Sequence, residues 1–230
     1  MKRKILLFPS AWSNEAVFKS QLAVLQNQYE LIFPNIHPFD DIGDMAQFVI
    51  GNYHDVYALI GLSMGGFVVQ DILCRVPNFA KKAILMGTYC HTHDEGTKTF
   101  YRGLLEQVQS GHFEKVISLF TNVVISPARI TDQQLRDEVG KLPRALGESY
   151  CINHHNACIS WRDHTEAVKG IKADTLILAG AVDAAVPLAH LQKLYELIPG
   201  STLKVIQNAG HLMGVEEPEQ VNSAIVEFLK

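Results

Sequence analysis

Apolar residues along the 230-residue chain gather into six short continuous runs. They are KILLF (4–8), ELIF (30–33), VYALIG (56–61), KAILMG (82–87), TLILAG (175–180) and TLKVIQ (202–207). Continuous rather than alternating runs of this length mark strands buried on both faces, as in a parallel sheet. Between most of them apolar residues recur at helical spacing: Phe18, Leu22 and Leu25; Leu188, Leu191, Tyr195 and Ile198; Val221, Ile225 and Phe228. Glu217-Pro218-Glu219 suits the start of the last of these helices. The alternation predicts an α/β protein with a parallel sheet covered on both sides.

One segment breaks the rhythm. Residues 91–165 hold no strand-like run, and TKTFYRGLLEQVQ, HFEKVISLF, TDQQLRDEVGKL and ESYCINHHNACI read as helices. The expected organisation is a core of 1–90 and 166–230 with a helical insertion, 91–165, between the fourth and fifth runs. No repeat or low-complexity tract is visible.

Composition narrows the partners. Net charge is −4 with no Lys/Arg stripe, so neither nucleic acid nor an anionic membrane is expected to bind. The apolar part of MKRKILLF is too short for a secretion signal, and no run approaches the ~20 residues of a membrane span. The four cysteines (Cys74, Cys90, Cys151, Cys158) show no CxxC pattern and are expected to be reduced and structural. A soluble cytoplasmic protein is the expectation; the sequence leaves the oligomeric state open.

The chemistry concentrates where the third run ends. Gly61-Leu62-Ser63-Met64-Gly65 is G-x-S-x-G, placed after a strand and before an apolar helix. A turn that sharp puts the serine in strained backbone geometry and brings neighbouring chain close, which the glycines relieve. Ser63 Oγ then projects beyond the sheet, and the free Met64 amide at the helix start can donate to an oxyanion. A serine nucleophile needs a base, and the base needs an orienting carboxylate. His211, in QNAGHLMG after the last strand, is the best-placed base. Asp183, three residues past Gly180 and before Pro187, is the candidate acid. A second oxyanion amide should come from FPSAWSNEAVF after the first strand; Pro9 cannot donate, leaving Ala11 or Ser10. Trp12 beside them is a candidate pocket wall or, equally, a core residue.

These stretches together resemble the α/β-hydrolase superfamily, and more narrowly its compact capped esterases, enol-lactonases and C–C hydrolases. GLSMGG resembles the nucleophile elbow, AGAVDAAVP the acid loop, and NAGHLMGVEEPEQVNSAIVEFL the histidine loop and last helix. The resemblance covers nearly the whole chain. It implies Ser63 as nucleophile, Asp183 as acid, His211 as base, and the amides of Met64 and Ala11 (Ser10 if the register slips by one) as oxyanion hole. It also implies 91–165 as the cap. Two departures stand out: Pro9-Ser10 replaces the common His-Gly, and Leu62 stands where many members carry His. The superfamily's usual first hairpin is expected to be missing, leaving about six strands, mostly parallel.

His91-Thr92-His93-Asp94-Glu95 lacks a third metal ligand at clear spacing, so no metal is expected. Without a P-loop or GxGxxG, no nucleotide cofactor is expected either. Asp40, Asp41 and Asp44 read as a solvated acidic loop. His154-His155 lies on an insertion helix, where one of the two could reach the cleft. The function expected is serine hydrolysis of a small ester, lactone or thioester through an acyl-enzyme. The alternatives are C–C bond hydrolysis or a lyase step with the same residues, and a non-catalytic ligand-binding member of the fold.

Overall fold

The computed structural model describes residues 2–230. The chain runs β1 (Arg3–Phe8), α1 (Lys19–Leu25), β2 (Tyr29–Ile32), α2 (Ile42–Asn52), β3 (Val56–Leu62), α3 (Met64–Arg75) and β4 (Ala80–Met86). Four helices follow: α4 (Glu95–Gln109), α5 (Phe113–Val124), α6 (Gln133–Leu146) and α7 (Glu148–Ser160). The chain closes with β5 (Asp174–Gly180), α8 (Leu188–Leu197), β6 (Thr202–Ile206), α9 (Met213–Glu216) and α10 (Pro218–Leu229). Every apolar run is a strand, within two residues of its expected bounds at either end.

The strands form one sheet in the order β2-β1-β3-β4-β5-β6. Every neighbouring pair is parallel. Strand order reverses at β1, which sits between β2 and β3. In open parallel sheets the crevice outside the strand C-termini at such a switch point is where ligands bind. Phe8, ending β1, pairs with Gly61 near the end of β3, so the loop after β1 and the turn after β3 meet there.

Side chains alternate across the sheet and build a core on each face. Leu6, Phe8, Leu59, Leu85 and Ile177 pack with α2, α3 and α8 on one side. Ile5, Leu7, Ile60, Ile84 and Leu178 pack with residues of α1 and α10 on the other. Two details differ from the sequence reading. Tyr195 is 45% exposed, and Leu194 takes its place on the buried face of α8 beside Leu191. Helix α2 has no counterpart in the sequence reading. Its N-cap, Asp41, belongs to the supposed solvated loop and accepts from the amides of Gly43 (2.7 Å) and Asp44 (3.2 Å).

The α4–α7 segment has a small core of its own, with Val108, Val116, Ile117, Leu146 and Cys151 packed around Trp12 from the loop after β1. It also joins both main cores. Val124, Leu135 and Val139 pack on the α1/α10 side, and Ala157 and Cys158 of α7 on the other. The segment is therefore clamped to the sheet from two directions.

Candidate active site

Ser63 stands between β3 and α3 with φ 54° and ψ −115°. Such a conformation costs a non-glycine residue about 1–3 kcal/mol and persists only where the surroundings enforce it. Here Ser63 N–H donates to Met86 O (2.8 Å), and its carbonyl accepts from Gly66 (2.8 Å) and Phe67 (3.2 Å). The flanking glycines are required by close approach. A Cβ on Gly61 would lie 2.4 Å from Gly65 O, and one on Gly65 only 2.1 Å from Phe8 O. The Met64 amide is in the first turn of α3, where no intrahelical acceptor exists.

Asp183 lies just past β5. Its Oδ1 accepts from the amides of Ala185 and Val186, both at 2.8 Å, and its Oδ2 is 2.8 Å from His211 Nδ1. The carboxylate thus shapes its own loop with one oxygen and orients an imidazole with the other. His211 and Asp183 are both buried. Burial pushes the His211 pKa down, but the charge and hydrogen bond of Asp183, with a further contribution from Glu216, outweigh it, and the net shift is upward. With Nδ1 committed to Asp183, Nε2 is the ring nitrogen left for other chemistry.

Two residues of this region went unnoticed in the sequence. Glu216, 4% exposed, accepts from Gly210 N–H (Oε1, 2.9 Å) and Ser126 N–H (Oε2, 2.8 Å). It ties the histidine loop to the end of α5, where Val124 O also accepts from His211 N–H (3.0 Å) and Leu212 N–H (3.2 Å). Gly87, after β4, has φ +51°, and a Cβ there would lie 3.2 Å from the His211 ring and 3.5 Å from Asp183 Oδ2. Its position at the end of an apolar run was the available clue. Nothing in the sequence separates Glu216 from neighbouring Glu217 and Glu219.

The loop after β1 completes the arrangement. Ser10, Ala11, Trp12, Ser63 and His211 all line one cavity of about 130 Å³, walled further by Tyr89, Tyr101, Phe67, Phe120, His155 and Cys158. Phe100, Leu119 and Val123 at its edge are exposed. Among the described residues, no Asp, Glu, Lys or Arg lines it. Among the described residues, neither the Ser10 nor the Ala11 amide has a protein acceptor, whereas the Trp12 amide donates to His154 Nδ1 at 3.1 Å. Trp12 is both things considered for it, a cavity wall and a buried core residue, 1% exposed.

Of the histidine pair, His155 borders the cavity and His154 is buried behind it, fully enclosed. His93 bonds to Tyr89 Oη through Nδ1 at 2.7 Å, and Asp94 caps α4 by accepting from Thr97 N–H. All four cysteines are free, and Cys158 touches the cavity. Among the described residues, no helix is long and apolar enough to cross a membrane.

The chain has recognisable relatives. A family profile described as serine aminopeptidase, S33 (Hydrolase_4) matches residues 36–218, a span that includes Ser63, Asp183 and His211. The chain is 25% identical over 185 residues to carboxylesterase YbfK of Bacillus subtilis (strain 168), covering 74% of this chain and 56% of that protein. It is 25% identical over 249 aligned positions to 3-oxoadipate enol-lactonase 2 of Acinetobacter baylyi, covering 99% of this chain and 89% of that one. The solved structure of a thermophilic esterase from Thermogutta terrifontis superposes with a TM-score of 0.88 at 20% identity, over 100% of this chain and 90% of the other. At that identity the likeness is one of fold. From its profile match over residues 36–218 and this architecture, the chain belongs to the serine aminopeptidase S33 (Hydrolase_4) family of the α/β-hydrolase superfamily and is an α/β-fold hydrolase.

Proposed function

We propose that the chain is a serine hydrolase of small, uncharged carboxylic esters. One observation carries the reading: Ser63 and His211 border a single cavity while His211 Nδ1 sits 2.8 Å from Asp183. In this mechanism Ser63 Oγ attacks the ester carbonyl as His211 Nε2 takes its proton. The amides of Met64 and Ala11, or Ser10 in place of Ala11, hold the oxyanion. His211 then protonates the departing alcohol. Water, activated by the same imidazole, releases the acid from the acyl-enzyme. Residues 91–165 act as the cap that shapes the acyl site.

The lining of the cavity favours esters over the other activities that its relatives' names carry. An aminopeptidase has to pair the α-ammonium of its substrate, and no carboxylate lines the cavity. A substrate bearing free carboxylates, such as one derived from oxoadipate, would find no Lys or Arg there. A buried charge without a partner costs several kcal/mol, so both are disfavoured against a neutral acyl group. Phe67, Leu104, Val116 and Phe120 supply apolar contact for it.

The test is an activity panel: p-nitrophenyl acetate and butyrate, a lactone, a thioester, an aminoacyl p-nitroanilide and a vinylogous diketone. Short neutral esters should be turned over fastest. Ser63→Ala should abolish both turnover and labelling by a fluorophosphonate. Ester hydrolysis that survives Ser63→Ala would refute the mechanism. Turnover confined to the diketone would redirect it to C–C bond cleavage.

A further inference from the structure

We propose that His154 is a positioning residue which, together with His155, holds Trp12 and so presets the oxyanion-loop amides of Ala11 and Ser10 at the cavity. The role assigned to those amides rests on the ester-hydrolase reading above; the hydrogen bonds do not.

Two adjacent residues of α7 grip one residue of the loop after β1. The Trp12 main-chain N–H donates to His154 Nδ1 at 3.1 Å, and its indole Nε1–H donates to His155 Nδ1 at 3.2 Å. Amide and indole N–H groups only donate, so both imidazoles accept through an unprotonated Nδ1. The proton of His154 is then on Nε2, 3.0 Å from His37 Nδ1, which accepts it. His154 and His37 form one consistent donor–acceptor chain from β1's loop through α7 to residue 37, and His155 accepts separately at the indole. Burial keeps the pair neutral, pushing His154 down to about 3 and His155 to about 4.

Trp12 needs such a hold. Its φ is 60°, a left-handed conformation that is strained for a bulky residue. The indole is packed 5.7 Å from the Phe113 ring and 5.8 Å from that of Phe120, both of α5. Across Trp12, Ser13 N–H and Ser13 Oγ both donate to Ser10 O, at 3.3 and 2.9 Å, closing the turn. The free amides of Ser10 and Ala11 therefore sit in a tight turn that Ser10 and Ser13 close and that Trp12 ties to α7. A helix between β4 and β5 thus shares with the end of β1 in aiming them. Oxyanion stabilisation depends on donors placed before the reaction starts, so a loosened loop should slow chemistry without weakening ground-state binding.

The experiment compares His154→Leu and His154→Asn with wild type, using p-nitrophenyl butyrate kinetics, thermal unfolding, and ¹⁵N NMR of the Trp12 amide and indole. Asn places a carbonyl oxygen near the position of Nδ1 and restores the acceptor. His154→Leu should lower kcat by about 10- to 100-fold with KM within about twofold, short of the ~10²–10³-fold loss on deleting a donor outright. His154→Asn should recover most of kcat. In wild type the Trp12 amide should be protected from hydrogen exchange. A folded His154→Leu with kcat within twofold of wild type overturns the proposal, as does an Asn variant no better than Leu at equal thermal midpoint. If the Leu variant does not fold, an unprotected Trp12 amide in wild type overturns it and a protected one with active Asn variant supports it. Should wild type neither cleave esters nor take up a fluorophosphonate, the ester-hydrolase reading fails alone, and amide protection still decides whether Trp12 is held.

Discussion

Replacing His154 and His155 together by Asn should flatten the acid limb of the stability curve. Both imidazoles are buried, and burial holds their native pKa values near 3 and 4 against 6.5 for an unperturbed histidine. A depressed native value means stability that is fully present above pH 6.5 and is lost as pH falls toward the native value, because the unfolded chain takes up the protons first. Between pH 7.5 and 5.5 each ring stays neutral in the native state while its unfolded counterpart charges. That costs about 1.4 kcal/mol per ring, roughly 3 kcal/mol for the pair. Against a typical total of about 5–15 kcal/mol the loss is large. His37, His91 and His93 are also lowered by burial and add to the same slope. His164 and His211 act in the opposite sense. Burial lowers them, but Asp71 and Asp183 outweigh it, so their contribution is complete below pH 6.5 and fades as pH rises through their raised native values. The wild-type curve is the sum, so the informative quantity is its difference from the double Asn variant, which keeps both acceptors at Trp12. Urea unfolding followed by far-ultraviolet circular dichroism at half-unit pH steps measures it. Curves that run parallel from pH 7.5 to 5.5, or diverge by less than about 1 kcal/mol, would refute the argument.

Other outcomes follow from the site. The kcat/KM profile should fall on the acid side through an apparent pKa above 6.5, since His211, as the proposed base, would have to be neutral to accept a proton and its native value is raised. Asp183→Asn should move that limb downward and cut kcat by roughly 10⁴-fold; an unmoved limb speaks against the pair. Glu216→Gln turns an amide donor toward a backbone N–H, so it should destabilise by about 1–3 kcal/mol in chemical denaturation and shift the same limb down by removing a charge near His211. Gly65→Ala sets a Cβ 2.1 Å from Phe8 O, backbone against backbone; calorimetry should show a loss of about 1–3 kcal/mol or more, with activity lost as β1 and α3 separate.

The sheet was legible because strands buried on both faces must be apolar throughout. Ser63, Asp183 and His211 were legible because each sits just past a strand, where turn chemistry leaves a mark: glycines around Ser63, Gly180 and Pro187 around Asp183, Gly210 before His211. Residues whose role depends on a partner far along the chain left no such mark. Glu216 acts through amides at 126 and 210, and His154 through an amide at residue 12. Helix α2 leaves no clear mark because the acidic residues at its start read as a solvated loop, whereas Asp41 caps the helix. On α8, both Leu194 and Tyr195 fit helical spacing from Leu191, and only the packed structure shows which one turns inward.

The grip of the inserted helices on the loops beneath them bears on how this chain could be re-engineered. Val124 O receives two amides of the histidine loop, Ser126 N–H meets Glu216, and α7 supplies both acceptors for Trp12. A foreign segment spliced between β4 and β5 to change substrate preference would have to reproduce a carbonyl, an amide and two ring acceptors at those places. A graft chosen for cavity shape alone would arrive with a well-formed chamber above disordered machinery.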